Sequence, residues 1–305
     1  MMGIGSWLVD RFGPLLEFIE PIIPGEIFPY FFTMELFQRS LIAALLITIV
    51  ASTLGSFLLV RNLALIGDGL AHVSFGGVAV AIVLGATAPL WYALVFSMVS
   101  AILIYEMQNR NMLTGDASIA IFLTGMLAFG LVVLRIWGGG ITTDVEGYLF
   151  GNLLLIDDAS LDLIVYVTTF SLILMYFIHS SLLATAIDPL AAQVQGIPVR
   201  AIGLLFSMIT AAVVVSMVQL VGALLVTALL VTPAATAQLI GKNFRTCQIW
   251  TQIFGLLSVI LGLFYSAELG TGTGSMIALV AFIIFALVAI SKTVISTIIR
   301  SSQNH

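Results

Sequence analysis

Asp68 and His72 are the residues of this sequence whose types and spacing point most directly to chemistry. They lie four positions apart in the stretch GDGLAH, and the whole chain of 305 residues has only three histidines. On a helix, residues i and i+4 share a face, so the carboxylate and the imidazole would point in the same direction. A carboxylate beside a neutral imidazole suits a first-row divalent metal ion, and the lack of a thiol nearby argues against copper(I).

A single copy of the chain supplies only these two ligands. If two copies met on a two-fold axis, two aspartates and two histidines would gather there, enough for tetrahedral zinc or for manganese or iron with added water. A simpler interpretation is open. Asp68 follows Arg61 by seven residues, so it could be an ordinary N-cap, with His72 an interfacial histidine bonded to the backbone. The residues alone do not separate the two interpretations.

The composition places this pair inside a membrane. The chain is 61% hydrophobic and 8% charged, with a mean hydropathy of +1.19, whereas soluble domains carry about 25% charged residues. Long apolar runs, rather than short alternating segments, favour helices over a barrel. The expected fold class is all-α: a polytopic membrane helix bundle of eight to nine transmembrane helices. One cysteine, Cys247, excludes an intrachain disulfide framework and any CxxC motif.

Runs of about 20 apolar residues give the approximate spans. The expected count is nine, or eight if one short segment is re-entrant. The predicted spans are 40–60, 73–88, 89–107, 118–137, 160–178, 201–218, 220–240, 248–266 and 275–296.

Basic residues set the expected orientation, with the N-terminus outside and the C-terminus in the cytoplasm. Most of them fall on one side if the spans alternate, while acidic residues collect on the other, and three arginines are exceptions on the outer side. The basic group is Arg61, Arg110, Arg200, Lys242, Arg245, Lys292 and Arg300; the acidic group is Glu17, Glu20, Glu26, Glu35, Asp144, Glu146 and Glu268; the exceptions are Arg11, Arg39 and Arg135.

The chain divides into two parts on this interpretation. Residues 1–34 form an amphipathic segment on the outer surface, because acidic residues and prolines interrupt it and disfavour a further span. Residues 35–300 form the transmembrane domain. Within it, the outer segment 138–158 is expected to contain a short helix folded back at the surface, and 267–275 to be a flexible Gly/Thr turn.

The segment 187–197 carries complete signals for one short cytoplasmic helix. Asp188 can cap its amino end, and Pro189 suits its first position. Gly196 can end it, and Pro198 prevents its continuation. The sequence therefore predicts a helix too short to span the membrane and too polar for lipid.

This helix would present an apolar ridge. Leu190 and Val194 share a face at i and i+4, with Ala192 between them. A partner protein would cover the ridge, although the helix could instead pack on its own bundle. The chain itself has no nucleotide-hydrolysing motif, because GKN at 241–243 lacks the other elements of a phosphate-binding loop. Energy from ATP would therefore require another subunit.

Four ordered stretches resemble the membrane permeases of metal-ion ABC importers, which take up zinc, manganese or ferrous iron. The resemblance covers about 35–295, nearly the whole chain. The stretches are LVRNLALIGDGLAHVSFGGVAVA (59–81), YLFGNLL (148–154), IDPLAAQVQGIPV (187–199) and VGALLVTALLVTPAATAQLI (221–240), the last of which includes Pro233. A departure is Phe75–Gly76, where family members commonly have a proline.

This resemblance implies a permease rather than an enzyme. It implies a homodimer in the cell membrane (plasma or inner), two cytoplasmic ATP-binding subunits, and an extracellular or periplasmic metal-binding protein. The zinc, manganese or iron ion is cargo, no cofactor is permanently bound, and no nucleic acid is involved. The residues it assigns are Asp68 and His72 in the metal pathway; Asp188, Pro189, Leu190, Ala192, Val194 and Gly196 in the helix that docks on the ATPase; and Gly67, Gly76, Gly77 and Pro233 in packing or gating.

Two other classes of function are less compatible with the sequence. An ion-coupled secondary carrier or channel, acting without an ATPase, would need acidic residues inside several spans, but the other acids mostly fall at span ends. An intramembrane hydrolase built on Asp68, His72 and Ser74 is disfavoured, because Ser74 is two residues from His72 and faces away on a helix. The sequence does not decide among the three metals.

Overall fold

The computed structural model describes residues 3–86, 88–138, 147–149, 151, 156–223 and 225–303. These residues contain helices and no strand. Eight of the helices are long and apolar enough to cross a membrane. The expected all-α, multi-pass fold is therefore confirmed.

Most of the helices follow one another with connections of a few residues, while the connection between Trp137 and Asp158 is long. Those able to span the membrane are α3 to α7, α9, α12 and α13. The bounds are α1 Ile4–Ile19, α2 Tyr30–Thr33, α3 Glu35–Val60, α4 Ile66–Val83, α5 Pro89–Asn109, α6 Gly115–Trp137, α7 Asp158–Ile187, α8 Pro189–Val194, α9 Val199–Val221, α10 Val226–Leu230, α11 Thr232–Ile240, α12 Phe244–Leu269 and α13 Thr273–Gln303.

The predicted span 220–240 is not one continuous helix. Helix α9 runs on to Val221 and ends at Gly222, whose positive φ of 80° is a conformation that favours glycine. The rest of the stretch is broken between α10 and α11, with Pro233 in the first turn of α11, where its missing N–H costs no helical hydrogen bond. The described residues therefore contain eight full-length candidate spans and a ninth, broken segment.

Helix α4 lies near the centre of the bundle. In α4 and α9 78% of the spanning window is buried inside the chain, against 22% in α13, so the first two are interior helices. Glycines permit this close packing. A Cβ on Gly77 would lie 2.7 Å from the Tyr92 carbonyl oxygen, and one on Gly76 would lie 3.1 Å from the Met126 carbonyl oxygen.

The segment between α6 and α7 contacts α4 through Tyr148. The Tyr148 hydroxyl donates to Ser74 Oγ at 2.7 Å, and its carbonyl accepts from the Ala223 N–H at 3.1 Å. Burial raises the pKa of the Tyr148 phenol above its ordinary value, so it remains a donor. Residues 147–149 are helical; most of the short helix expected within 138–158 lies outside the described residues.

Candidate functional site

Asp68 and His72 both lie in the first half of α4, one helical turn apart on one face. The helix begins at Ile66, earlier than the predicted start of the span, and its N-cap residue is Leu65. Asp68 is therefore inside the first turn, and its interpretation as an N-cap is wrong. It is half-buried, and His72 is only 9% exposed.

Thr227 fixes the Asp68 carboxylate from across the bundle. The Thr227 hydroxyl and, at 3.3 Å, its backbone N–H both donate to Asp68 Oδ1. Gly67 allows this approach, since a Cβ there would lie 3.2 Å from Thr227 Oγ1 and 3.0 Å from a Leu230 methyl carbon. Within the described part of the chain, Asp68 Oδ2 accepts no hydrogen bond, so one oxygen is oriented while the other is available to a cation.

The His72 imidazole has an unsatisfied nitrogen. Nδ1 is fully buried, and no group among the described residues forms a hydrogen bond with it. A buried polar atom without a partner is costly and calls for an explanation, such as a ligand absent from the structure. The alternative of an interfacial histidine with a backbone partner finds no such hydrogen bond at Nδ1 among the described residues.

Two hydroxyl groups connect the backbone around this pair to neighbouring elements. Ser97 of α5 donates to the carbonyl of Leu70, which lies between Asp68 and His72, at 3.2 Å. Ser74 donates to the Ala71 carbonyl at 2.6 Å and accepts from a tyrosine. The Ser74 hydroxyl is thus engaged away from the pair, which removes the geometric basis of the hydrolase alternative.

The pair does not form a complete metal site by itself. Across the ranges that the structure describes, no group of three or more His, Cys, Asp or Glu side chains is placed to hold an ion. Any four-ligand site must take groups from outside this set.

The predicted helix between two spans is present as α8. Asp188 Oδ1 accepts from the N–H groups of Leu190 and Ala191, both at 3.0 Å. Pro189 is the first helical residue. Gly196 follows the helix with a positive φ of 81°, which stops it sharply.

The apolar ridge of α8 is uncovered. Leu190 is 76% exposed and Val194 is 89% exposed, while Ala192, at 1%, is the residue that packs inward. If the helix instead packed its ridge on its own bundle, Leu190 and Val194 would be buried and Ala192 exposed. The large apolar side chains of α8 are therefore available to contact a group outside this chain.

An ion pair joins the start of α9, just after α8, to the end of α5. Glu106 Oε1 accepts from Arg200 Nε at 3.0 Å and Nη2 at 2.7 Å, and Oε2 accepts from Arg110 Nε at 3.3 Å. Beside it, Gly203 leaves room for the Tyr105 ring, because a Cβ would lie 2.4 Å from that ring. The end of α5 and the first turns of α9 are thus held together.

Sequence reasoning missed Thr227, Ser97 and Glu106. The first two are hydroxyl residues within apolar runs, a common pattern in membrane helices. Glu106 carried a signal, since an acidic residue at the basic end of the bundle departs from the general charge distribution.

The described residues form an all-helical bundle with eight candidate spans, an interior polar pair and a capped, exposed helix between two spans, which fits a membrane permease. Residues 33–292 match the ABC 3 transport family, and the chain belongs to that family. The resemblance seen in the sequence is therefore confirmed.

Named relatives align over most of their lengths. The chain is 32% identical to the manganese transport system membrane protein MntC of Halalkalibacterium halodurans, over 82% of this chain and 85% of that one. It is 29% identical to the high-affinity zinc uptake system membrane protein ZnuB of Haemophilus influenzae, over 83% and 96%. Among solved structures, PsaBC from Streptococcus pneumoniae in complex with Fab is similar, with a TM-score of 0.73 and 31% identity over 83% and 90%.

Proposed function

We propose that this chain is the membrane permease of an ATP-driven importer of divalent transition-metal ions: zinc, manganese or ferrous iron. One observation carries the proposal. Asp68 and His72 lie on one face of an interior helix, with a carboxylate oxygen and a buried imidazole nitrogen left without partners among the described residues. Relatives named for manganese and zinc transport support this class of cargo.

The two side chains have complementary tasks. An ionisable group inside a membrane is expensive and usually faces a polar pathway. The Asp68 charge offsets the desolvation of a divalent cation, while His72 supplies a nitrogen ligand and no further charge. Because Thr227 holds only one carboxylate oxygen, the other can bind the ion. One copy supplies only two of the ligands, and a second copy of the chain would complete the coordination. The pathway must still bind the ion weakly enough to release it.

The proposed partners are inferred from the exposed ridge of α8 and from the lack of a nucleotide-hydrolysing motif in the sequence. We propose that the exposed ridge of Leu190 and Val194 docks on a cytoplasmic ATP-binding subunit, one for each permease of a homodimer. An external metal-binding protein delivers the ion from the opposite side. In this arrangement the C-terminus is cytoplasmic, as the basic residues predict.

Uptake of radioactive metal into vesicles carrying the complete complex tests the proposal. Asp68→Asn and His72→Leu should each abolish most uptake while the complex still assembles and hydrolyses ATP. Matched controls are Asp116→Asn, an exposed aspartate at the start of α6, and His179→Leu in α7; both should transport normally. Near-normal uptake in both pathway variants would refute metal contact, and uptake that persists without the ATPase would favour the ion-coupled carrier.

A further inference from the structure

The N-terminal segment, residues 3–33, lies almost entirely outside the family match, which begins at residue 33. It consists of α1, a single 3₁₀ turn at Glu20–Ile22, and the short α2. The family comparison assigns nothing to residues 3–32, although they are ordered against the bundle.

Two carboxylates hold this segment near its two ends. The Gly5 N–H donates to Asp162 Oδ1 at 2.6 Å. Further along, Glu268 accepts three backbone N–H groups, from Glu26 at 3.1 Å and from Ile27 and Phe28 at 2.9 Å. Unlike pairs of flexible side chains, these bonds fix the backbone itself.

The contacts place α1 across the ends of the spans. Asp162 is in the first two turns of α7, and Glu268 is in the last turn of α12. Between them, Gly13 faces Gln38 in the first turn of α3, with 3.3 Å between a Cβ at Gly13 and the Gln38 amide oxygen. All three positions are at the end of the bundle opposite α8. Since 16 residues make a helix about 24 Å long, α1 can extend over several spans at that level.

The side chains of α1 divide into three faces. Gly5, Val9 and Gly13, at i, i+4 and i+8, are buried against the bundle. A second face exposes large apolar side chains, of which Trp7 is 58% and Phe18 81% exposed; Ile4, Phe12 and Leu15 are its other apolar members. The exposed Arg11 lies among them, and its long stem lets the charged head reach the lipid headgroups while the apolar side chains face the acyl chains. A third face carries the exposed acids Asp10 and Glu17.

A helix with these three faces can contact the protein bundle with one face, lipid with the second and water with the third. A helix on a water-exposed surface would have no cover for tryptophan, leucine and phenylalanine, whereas a helix in the plane of the membrane interface buries them at the boundary of headgroups and acyl chains. The neighbouring spans continue this apolar surface, with Leu36 on α3 and Tyr166 and Phe170 on α7 also exposed. Tryptophan is favoured at this depth.

We infer that residues 3–33 form an interfacial strap: the face of Trp7, Leu15 and Phe18 is seated in the lipid of the leaflet opposite α8, and Asp162 and Glu268 fasten the segment to α7 and α12. The partner is the bilayer itself. The acidic third face does not select anionic lipid, so zwitterionic phosphatidylcholine suffices. This inference does not depend on which ion is transported.

Fluorescence quenching of the full-length chain in phosphatidylcholine vesicles tests the strap. Cys247 is the only cysteine, so Cys247→Ser gives a background for Leu15→Cys and, as a matched control two residues away, Glu17→Cys. Each is labelled with an environment-sensitive fluorophore. The label at position 15 should be quenched by spin-labelled lipid and protected from aqueous iodide, and the label at position 17 should show several-fold stronger iodide quenching.

Three results would overturn the inference. Equal iodide quenching at both positions would place the apolar face in water. A disulfide between two copies through Leu15→Cys would make a second chain the occupant, and protection that arises only when the external binding protein is added would make that protein the occupant. Adding Glu268→Ala should raise iodide quenching at position 15, because one fastening is lost; unchanged quenching would contradict the fastening role.

Discussion

The Thr227 hydroxyl donates a hydrogen bond to the Asp68 carboxylate across 159 residues of sequence. The Thr227 backbone N–H reaches the same oxygen at 3.3 Å. Helix α10, the first half of the broken segment, thereby sets the orientation of a side chain on α4. A helix continued without a break through this segment would present a different set of groups to α4, so the break is part of the construction of the site.

Replacing Thr227 should impair transport without unfolding the protein. Thr227→Val keeps the shape of the side chain but removes the donor, so the carboxylate loses its fixed orientation; loss of such an outer-shell partner typically costs about 10–100-fold in affinity or activity. Thr227→Ser should restore most of the uptake. The control is Thr236→Val, since among the described residues the buried Thr236 hydroxyl bonds only to the Thr232 carbonyl of its own helix. Metal uptake equal to wild type in Thr227→Val would contradict the positioning role.

Local sequence signals were sufficient to predict part of this structure. Hydropathy located eight spans, because the backbone groups of each span must form their hydrogen bonds within the helix over the whole thickness of the membrane. Helix α8 was predictable from Asp188, Pro189 and Gly196, since capping and turn conformation are decided within a few residues. The identity of Asp68 and His72 as a pair on one face also follows from helical periodicity alone.

Contacts between residues far apart in the sequence could not be predicted from such local signals. Nothing near Thr227 indicates that its hydroxyl meets a residue of another helix, because an apolar run with a threonine looks the same wherever it packs. The stretch 220–240 has the composition of a span, and its break depends on the backbone at Gly222 and on Pro233. Whether a proline ends a membrane helix or is accommodated within one is decided by the neighbouring helices.

The ridge of α8 gives a prediction about assembly. Leu190→Asp with Val194→Asp should leave the permease folded, because both side chains are exposed, but should release the ATPase subunit by placing charge in an apolar contact. Leu84→Asp, at an exposed apolar position outside α8, should have no such effect. Co-purification of the two subunits measures the outcome. A full complement of ATPase on the doubly charged permease would mean that it docks elsewhere.

Two glycines give opposite predictions for the same substitution. Gly77→Ala should lower the thermal midpoint of the purified permease, because its Cβ would lie 2.7 Å from the Tyr92 carbonyl oxygen and force α4 and α5 apart. Gly125→Ala in α6 has nothing within 4 Å of the new Cβ, and alanine favours a helix over glycine by roughly 0.5–1 kcal/mol. It should leave the midpoint unchanged or raise it. Equal effects at the two positions would show that α4 and α5 are not packed as described.

The ion pair of Glu106 with Arg200 gives the last prediction. Arg200 lies in the first turn of α9, the helix that follows α8. Glu106 lies in the last turn of α5, the helix whose Ser97 bonds to the Leu70 carbonyl between Asp68 and His72. If an ATPase moves α8, this joint gives α5 a route by which to carry the movement to α4. Glu106 is then expected to link ATP hydrolysis to transport.

Glu106→Gln should therefore lower the number of ions transported per ATP several-fold while ATP hydrolysis continues. Arg200→Gln should do the same, and the double variant should be no worse than either single one, since both remove one shared interaction. Arg110→Gln is the control, because Arg110, which is exposed like Arg200, pairs with the same carboxylate within α5 and so joins no second helix. The measurement is metal uptake and phosphate release in the same vesicles. Losses that add up in the double variant, or an unchanged ratio of ions to ATP in Glu106→Gln, would show that the pair is only a structural contact.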